Sequence, residues 1–228
     1  NLLLIIMSIF NSLPPKINQI HLISWLKLNY SIFHYKNISI KKLNSERDNN
    51  FIVKINNIPI YVLKISNPEE SIKLLKLQDF VLTKLKKRKN IKNFIPKKIH
   101  SSIKIYKDQL GRLCNVRILS FIKGKMYAKV KQSKDLENSL GLLLGNLSKE
   151  LQNLNNPYAF RKFEWDPSDI SWIKDEIKMF KGRKKEIISQ NLKENDKFVT
   201  HNLNKLRYSL THGDANNYNL VVHKDKVL

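Results

Sequence analysis

Apolar and polar residues alternate over several short stretches in the first half of this chain. Such alternation is typical of β-strands, and the polar clusters between the stretches indicate turns. Because the first three stretches are separated by only a few residues, we expect them to form an antiparallel meander. A turn near Gly111 joins the last two. The predicted strands span residues 38–43, 51–55, 60–65, 102–106 and 116–121.

Helical periodicity interrupts these strands and dominates the rest of the chain. Residues 66–70 supply capping side chains, a proline and two acids, and this combination predicts the start of a helix that continues to Leu85. A short strand is expected to begin at 220–222. Five strands with an inserted helix, followed by helices, indicate an α+β fold. The other predicted helices span residues 17–30, 136–154, 170–180 and 186–206.

The strongest chemical pattern lies in the irregular segment 212–219, His-Gly-Asp-Ala-Asn-Asn-Tyr-Asn. Asp214 is followed five residues later by Asn219, which is the spacing of a kinase catalytic loop. A carboxylate there can accept a hydroxyl proton during phosphoryl transfer. An amide oxygen can hold Mg²⁺ without adding negative charge beside a triphosphate. The alternative is a plain polar turn, because asparagine is abundant in this chain and favours turns.

Two further features belong to the predicted meander. Lys64 lies in a strand whose other residues are apolar, as the phosphate-binding lysine of a kinase does; the alternative is a lysine on a solvent-facing side. The loop 45–51 contains no glycine, but its serine and asparagine side chains and its backbone N–H groups could contact phosphates. These residue types also simply form turns. The order of loop, lysine strand, helix and distant catalytic loop favours the functional interpretation.

Segments 45–51, 61–68 and 212–214 together resemble the hydroxylysine-kinase-like branch of the aminoglycoside phosphotransferase and choline kinase superfamily. Residues 116–124 are similar to the interlobe strand of that family, with Lys123 in place of the usual proline before Gly124. The resemblance extends from about residue 14 to 222. It implies a protein-kinase-like fold with two lobes and a mostly helical, incomplete C-lobe. The implied division is an N-terminal extension at 1–13, a nucleotide-binding lobe at 14–122 and a partial helical lobe at 123–228.

The resemblance also implies roles for individual residues. Asp214 would be the catalytic base and Asn219 a magnesium ligand. Nucleotide contacts would come from Lys64 with loop residues, and from the backbone that faces the nucleobase. The residues expected to bind the nucleotide are Lys64, Ser45, Asn50, Ser120 and Ile122.

Two positions depart from the family pattern. The lysine usually pairs with a glutamate on the inserted helix, and Gln78 is the nearest polar candidate in this sequence. The family also carries a metal-binding aspartate in an Asp-Phe-Gly-Asp-like stretch soon after the catalytic loop. Asp225 is the only aspartate after Asn219, and it comes too early and in a hydrophilic turn. We therefore expect this chain by itself to have little or no kinase activity.

The implied function is transfer of the γ-phosphoryl group of ATP or GTP, with Mg²⁺, to a hydroxyl of an amino-containing metabolite such as hydroxylysine. Choline, homoserine and aminoglycoside kinases of the same fold are alternatives, as is an inactive basic binding module. Members of this branch also occur fused to class III aminotransferases.

A net charge of +23 is the one extreme value in the composition. It suggests either binding to nucleic acid or another anionic surface, or a general bias toward lysine, and the scatter of lysines along the chain favours the bias. Cys114 stands alone, so we expect a buried thiol and a reducing cytoplasm. The apolar run at 1–6 is too short to span a bilayer, and Met7 is a candidate start.

Overall fold

The computed structural model describes residues 12–160, 166 and 168–228, so the apolar run at the start lies outside the described residues. These residues form two compact units. One comprises residues up to 154 together with 211–228, and the other comprises 155–210. The lobe boundary at 122/123 stays a prediction.

The first unit is built on a five-stranded antiparallel sheet with the strand order β1-β2-β3-β5-β4. The predicted meander and α+β fold are therefore confirmed, and strand ends shift by up to three residues. Asn56 and Asn57 both have positive φ in the β2–β3 turn, as a two-residue hairpin requires. The strands are β1 Ile38–Leu43, β2 Asn49–Ile55, β3 Ile58–Ile65, β4 Lys104–Lys107 and β5 Leu113–Ser120.

One face of this sheet, the outer face, is apolar and closed by helix α1 Gln19–Asn29. Phe51, Leu63 and Ile118 are cross-strand partners on that face and are almost completely buried. Burial of these side chains is the main force that holds the helix on the sheet. Cys114 lies in the same core, so the predicted buried thiol is confirmed, and burial raises its pKa to about 11.

The helix inserted after β3, α2, spans Ile72–Leu85 and begins after the cap residue Ser71. The prediction that it starts at 66–70 was wrong. Asn67 is fully buried there, and its side chain accepts a hydrogen bond from the backbone N–H of Glu69. This local bond forms a turn instead of the first turn of a helix.

In the rest of the first unit, the end of the chain packs against residues 124–128, which follow β5. A second antiparallel sheet consists of β6 Lys125–Met126, β7 Val221–His223 and β8 Lys226–Val227. The two-residue strand β6 is too short for a periodic pattern and was not predicted. Helix α3, Lys134–Leu151, buries a leucine stripe, and Ser139 on it accepts the backbone N–H of Val227.

The second unit contains helices α4 Ile173–Glu176 and α5 Gly182–Phe198, with 3₁₀ turns at Ile177–Met179 and Thr200–Lys205. These bounds differ from the predicted 170–180 and 186–206, because α4 is short and continues only as a 3₁₀ turn, while α5 begins four residues earlier and ends eight residues earlier than predicted. Across the described ranges, no helix combines the length and apolar character needed to cross a membrane.

Candidate active site

The inner face of the sheet, opposite α1, carries a row of polar side chains. Asn50, Lys64 and Arg117 are register partners on three neighbouring strands, so they point to the same side. Within the described part of the chain, the Lys64 ammonium group makes no hydrogen bond or ion pair. Burial lowers the pKa of Lys64, and the Arg117 charge lowers it further, while Asp48 opposes the shift. A cation in this state gains from a bound anion.

Asn50 and Ser45 have different surroundings, although the sequence placed both in one loop. Asn50 lies in β2, and its side-chain oxygen is buried without a hydrogen-bond partner among the described residues. Ser45 donates its hydroxyl to the backbone oxygen of Asp48 at 2.7 Å. The structure therefore brings Asn50 beside Lys64, while the Ser45 hydroxyl stabilises the β1–β2 loop itself.

Asn67 holds the β1–β2 loop in place, a role that the sequence did not reveal. Its backbone N–H donates to Asp48 Oδ1 at 3.0 Å, and its side-chain amide donates to the carbonyl of Arg47 at 3.3 Å. The same amide group bonds Ser12 and Leu13, which belong to the predicted extension. A buried asparagine of this kind fixes the loop backbone, whereas a glycine-rich loop would leave it mobile.

The helix partner of Lys64 is not where the sequence suggested. Gln78 accepts a hydrogen bond from Arg117 at 2.6 Å, and among the described residues no hydrogen bond joins it to Lys64. The acid of α2 is Asp79, which pairs with Arg117 at 3.2 Å and with Lys98 at 2.7 Å. The sequence analysis did not predict the pairing of Arg117 with Asp79. The available signal was an aspartate four residues after Leu75, within the apolar stripe of the helix.

The end of β5 presents free backbone groups. Ser120 is engaged, because its N–H donates to the Lys97 carbonyl and its hydroxyl accepts from the Lys97 N–H, both at 2.8 Å. Phe121 donates to the carbonyl of Ile60 at 2.9 Å. The backbone of Ile122 has no such partner among the residues described. Ile122, more than Ser120, therefore has a donor and an acceptor available for a planar ligand.

The loop after Thr211 brings Asp214 and Asn219 together. The Asn219 side-chain nitrogen lies 2.7 Å from Asp214 Oδ2 and 3.0 Å from its backbone oxygen. Asn216 donates to Asp214 Oδ1 at 2.7 Å. Two amides thus orient one solvent-exposed carboxylate by donating a hydrogen bond to each of its oxygens. Asn219 Oδ1 points away from this bond and accepts no hydrogen bond from the described chain.

This loop is fixed at its far end by residues 124–128. Ala128 and Tyr127 donate their backbone N–H groups to the carbonyls of Asn217 and Leu220. Gly124 lies so close to β7 that a Cβ atom there would come within 2.4 Å of the Val222 carbonyl oxygen. Glycine is therefore required at 124 for a close backbone approach, a reason that the sequence could not show.

A metal would find an incomplete set of ligands here. Asn219 Oδ1 suits a hard cation, but no cluster of three or more histidine, cysteine or acidic side chains occurs in the described ranges. Asp225 sits with positive φ in the β7–β8 turn and is exposed. No hydrogen bond or ion pair among described residues links the sheet group around Lys64 to the loop group around Asp214.

Comparison with known proteins supports a kinase-like fold. No family model matches the chain. It is 28% identical over 216 residues to a hydroxylysine kinase of Xenopus laevis and 27% identical over 222 residues to one of Mus musculus. These alignments include 85% and 86% of this chain. The chain spans only 56% and 57% of the length of those relatives.

Solved structures share the fold at low sequence identity. An amicoumacin kinase in complex with AMP-PNP and Ca²⁺ matches with a TM-score of 0.67, at 14% identity, over 92% of this chain and 62% of its own. A spectinomycin phosphotransferase in complex with ADP matches with a TM-score of 0.56, at 14% identity, over 92% and 67%. The chain therefore shares its fold with these two kinase structures, and its sequence is similar to those of the hydroxylysine kinases.

Proposed function

We propose that the protein is a small-molecule kinase that transfers the γ-phosphoryl group of ATP or GTP to a hydroxyl group. The observation that carries this proposal is the pairing of Asp214 with Asn219 at 2.7 Å in a loop of kinase spacing. Lys64, which lacks an ion-pair partner in the described structure, supplies the second element that a phosphoryl transferase needs.

Each residue has a physical task in this proposal. Lys64 binds phosphate oxygens, and this ion pair offsets the loss of solvation that burial of the ammonium group causes. The free backbone groups of Ile122 hold the edge of the nucleobase. Asp214 orients the acceptor hydroxyl and takes its proton, while Asn216 and Asn219 fix the carboxylate. A divalent cation, which we expect to be Mg²⁺, would neutralise phosphate charge when bound, and Asn219 Oδ1 would be one of its ligands.

The acceptor that we propose is an amino-containing alcohol, and hydroxylysine is the first candidate because the chain is similar to hydroxylysine kinases of three species. Choline, homoserine and aminoglycosides are the other acceptors to assay. A class III aminotransferase as fusion partner, and a cytoplasmic location, remain predictions.

Substitution of Asp214 tests the proposal in the full protein. Asp214→Asn retains the size and much of the hydrogen bonding but removes the carboxylate that accepts the proton. We expect turnover to fall about 10²–10⁴-fold, the usual contribution of a general base. The affinity for nucleotide should change far less. Steady-state rates with each candidate acceptor and Mg-nucleotide measure the first effect, and nucleotide titration measures the second.

Asp225→Asn is the matched control, since Asp225 is an exposed aspartate eleven residues later and its positive φ suits asparagine. It should retain wild-type turnover. Asn219→Ala should raise the magnesium concentration needed for half-maximal rate. Near-normal turnover by Asp214→Asn with every accepted substrate would contradict the kinase assignment of this loop.

A further inference from the structure

A buried charge cluster lies next to Lys64, between α2 and the sheet. The guanidinium group of Arg117 pairs with Asp79 at 3.2 Å, and the two side chains are only 5% and 7% exposed. The same guanidinium donates to Gln78 at 2.6 Å and to the Leu75 carbonyl at 3.4 Å. Lys98 approaches the other oxygen of Asp79 at 2.7 Å. Strand β5 is thus bonded to α2 at three points.

Stability alone does not account for this cluster. A buried ion pair adds little net stability, because removing both charges from water offsets their attraction. The Arg117 Nε atom is also buried without a hydrogen-bond partner in the described chain, which adds a further cost. Apolar side chains could fill the same space between α2 and the sheet. The charged cluster therefore has a consequence other than stability, which is the position of neighbouring charged groups.

That consequence concerns Lys64, the register partner of Arg117 on the neighbouring strand. The Asp79 carboxylate has both oxygens occupied by other cations, Arg117 and Lys98. Lys64 therefore keeps an ammonium group that no carboxylate of α2 neutralises. In contrast, a lysine that pairs with a helix acid must share its charge between that acid and a phosphate.

We propose that Arg117 is a positioning residue for the nucleotide site: by holding Asp79, it fastens α2 to the sheet and leaves the Lys64 ammonium group free for the nucleotide phosphates. This inference rests on the proposed function, because it assumes that Lys64 binds nucleotide. It adds that the α2 carboxylate acts through Arg117 and not through Lys64.

The experiment measures the affinity of a fluorescent ATP analogue with Mg²⁺ in the full protein. Arg117→Met keeps the apolar stem and leaves Asp79 Oδ1 without its arginine, while Lys98 still holds Oδ2. We expect this oxygen to draw the Lys64 ammonium group away from the phosphates. We expect the affinity to fall about 10-fold, equivalent to one lost favourable contact. Adding Asp79→Leu removes the freed carboxylate, so the double variant Arg117→Met/Asp79→Leu should return to within about threefold of wild type. Arg117→Lys keeps a cation beside Asp79 and should lie closer to wild type than Arg117→Met.

Arg112→Met is the matched control. Arg112 pairs with Asp108 at 2.7 Å, and the Asp108 side chain is fully buried while that of Arg112 is 25% exposed, so this is a partly buried arginine–aspartate pair of the first unit. It should lower the thermal stability without the loss of nucleotide affinity. A purely structural role for Arg117 would make the two arginine variants alike.

Each outcome decides the inference. Wild-type affinity in Arg117→Met contradicts it, and so does a folded double variant that binds as weakly as the single variant. If Arg117→Met does not fold, the double variant is compared with wild type directly, and a loss beyond about 10-fold contradicts the inference. If the wild-type protein binds no nucleotide, the proposed function fails, and this inference fails with it. Binding by the wild type with equal binding by Arg117→Met refutes the inference alone.

Discussion

The two faces of the five-stranded sheet come from the same strands but solve different problems. The outer face packs Phe51, Leu63 and Ile118 against α1, and these side chains are at most 1% exposed. The inner face carries Asn50 and Lys64, whose polar groups have no hydrogen-bond partner among the described residues. Polar groups without partners are costly in a folded protein. Among the described strand residues, the buried polar atoms without a partner belong to Asn50 and Arg117, and both lie on the inner face. This separates the face that stabilises the fold from the face that we assign to ligand binding.

The contrast can be tested on two adjacent residues of β3. Leu63→Ala removes a fully buried outer-face side chain and should lower the free energy of unfolding by about 2–5 kcal/mol. Lys64→Met, one residue later, should leave the fold intact. It should weaken nucleotide binding by about 10–100-fold, since a bond to a charged group contributes about 1.5–3 kcal/mol. Chemical denaturation and nucleotide titration of both variants measure these effects.

The reverse pattern would break the comparison. If Leu63→Ala lost nucleotide affinity while remaining stable, the assignment of the two faces would be wrong. It would also be wrong if Lys64→Met were strongly destabilised but its folded form bound nucleotide with wild-type affinity. Because the two residues are neighbours in one strand, differences of position along the chain cannot explain a difference between them.

A second test moves from the sheet to the catalytic loop. Gly124→Ala would place a Cβ atom 2.4 Å from both Val221 Cγ1 and the Val222 carbonyl oxygen. We expect the β6–β7 contact to open, with a loss of about 1–3 kcal/mol in the free energy of unfolding. Turnover should fall as well, because β7 fixes the exit of the loop that carries Asp214.

Gly145→Ala in α3 is the control, since no heavy atom of the described residues beyond its own helical turn lies within 4 Å of a Cβ at Gly145. This variant should be more stable by about 0.5–1 kcal/mol, the usual gain for replacing glycine inside a helix. Thermal unfolding of the two variants should therefore give shifts of opposite sign. A stabilised Gly124→Ala variant would show that the backbone at residue 124 does not pack closely on β7.

The difference between the faces also explains what the sequence could predict. Alternation along β1 to β3 reports directly which side of each strand is buried, so the strands and the meander were predicted within a few residues. Helices α4 and α5 lie in a polar region with a weak apolar stripe, and there the ends were wrong. The start of α2 was missed because Asn67 looks like a cap in the sequence but is held in a buried turn by distant residues.

The candidate site divides in the same way. Asp214, Asn219 and Lys64 have local patterns of spacing and strand context, and these patterns were sufficient to propose them as site residues. The pair Arg117–Asp79 joins residues 38 positions apart, so no local pattern connects them. The requirement for glycine at 124 likewise depends on a strand almost 100 residues later, and only the folded structure brings them together.

The smallest expected effect concerns the pH dependence of stability. Burial lowers the pKa of Lys64 in the folded protein, so the unfolded chain binds the Lys64 proton more tightly. Folding therefore carries a penalty while the folded lysine is charged. That penalty falls as pH rises through the lowered pKa toward the ordinary lysine value, and stability rises over this window.

Lys64→Met removes the penalty and should stabilise the protein slightly at neutral pH, with a gain that shrinks as pH rises. Urea denaturation of both proteins at several pH values between neutrality and the alkaline range measures this difference. Lys54→Met, which removes another lysine of the same sheet from β2, is the control for the loss of a positive charge. A gain for Lys64→Met that grows with pH would show that the Lys64 charge is stabilised in the folded protein, which would remove the reason for expecting it to gain from a bound phosphate.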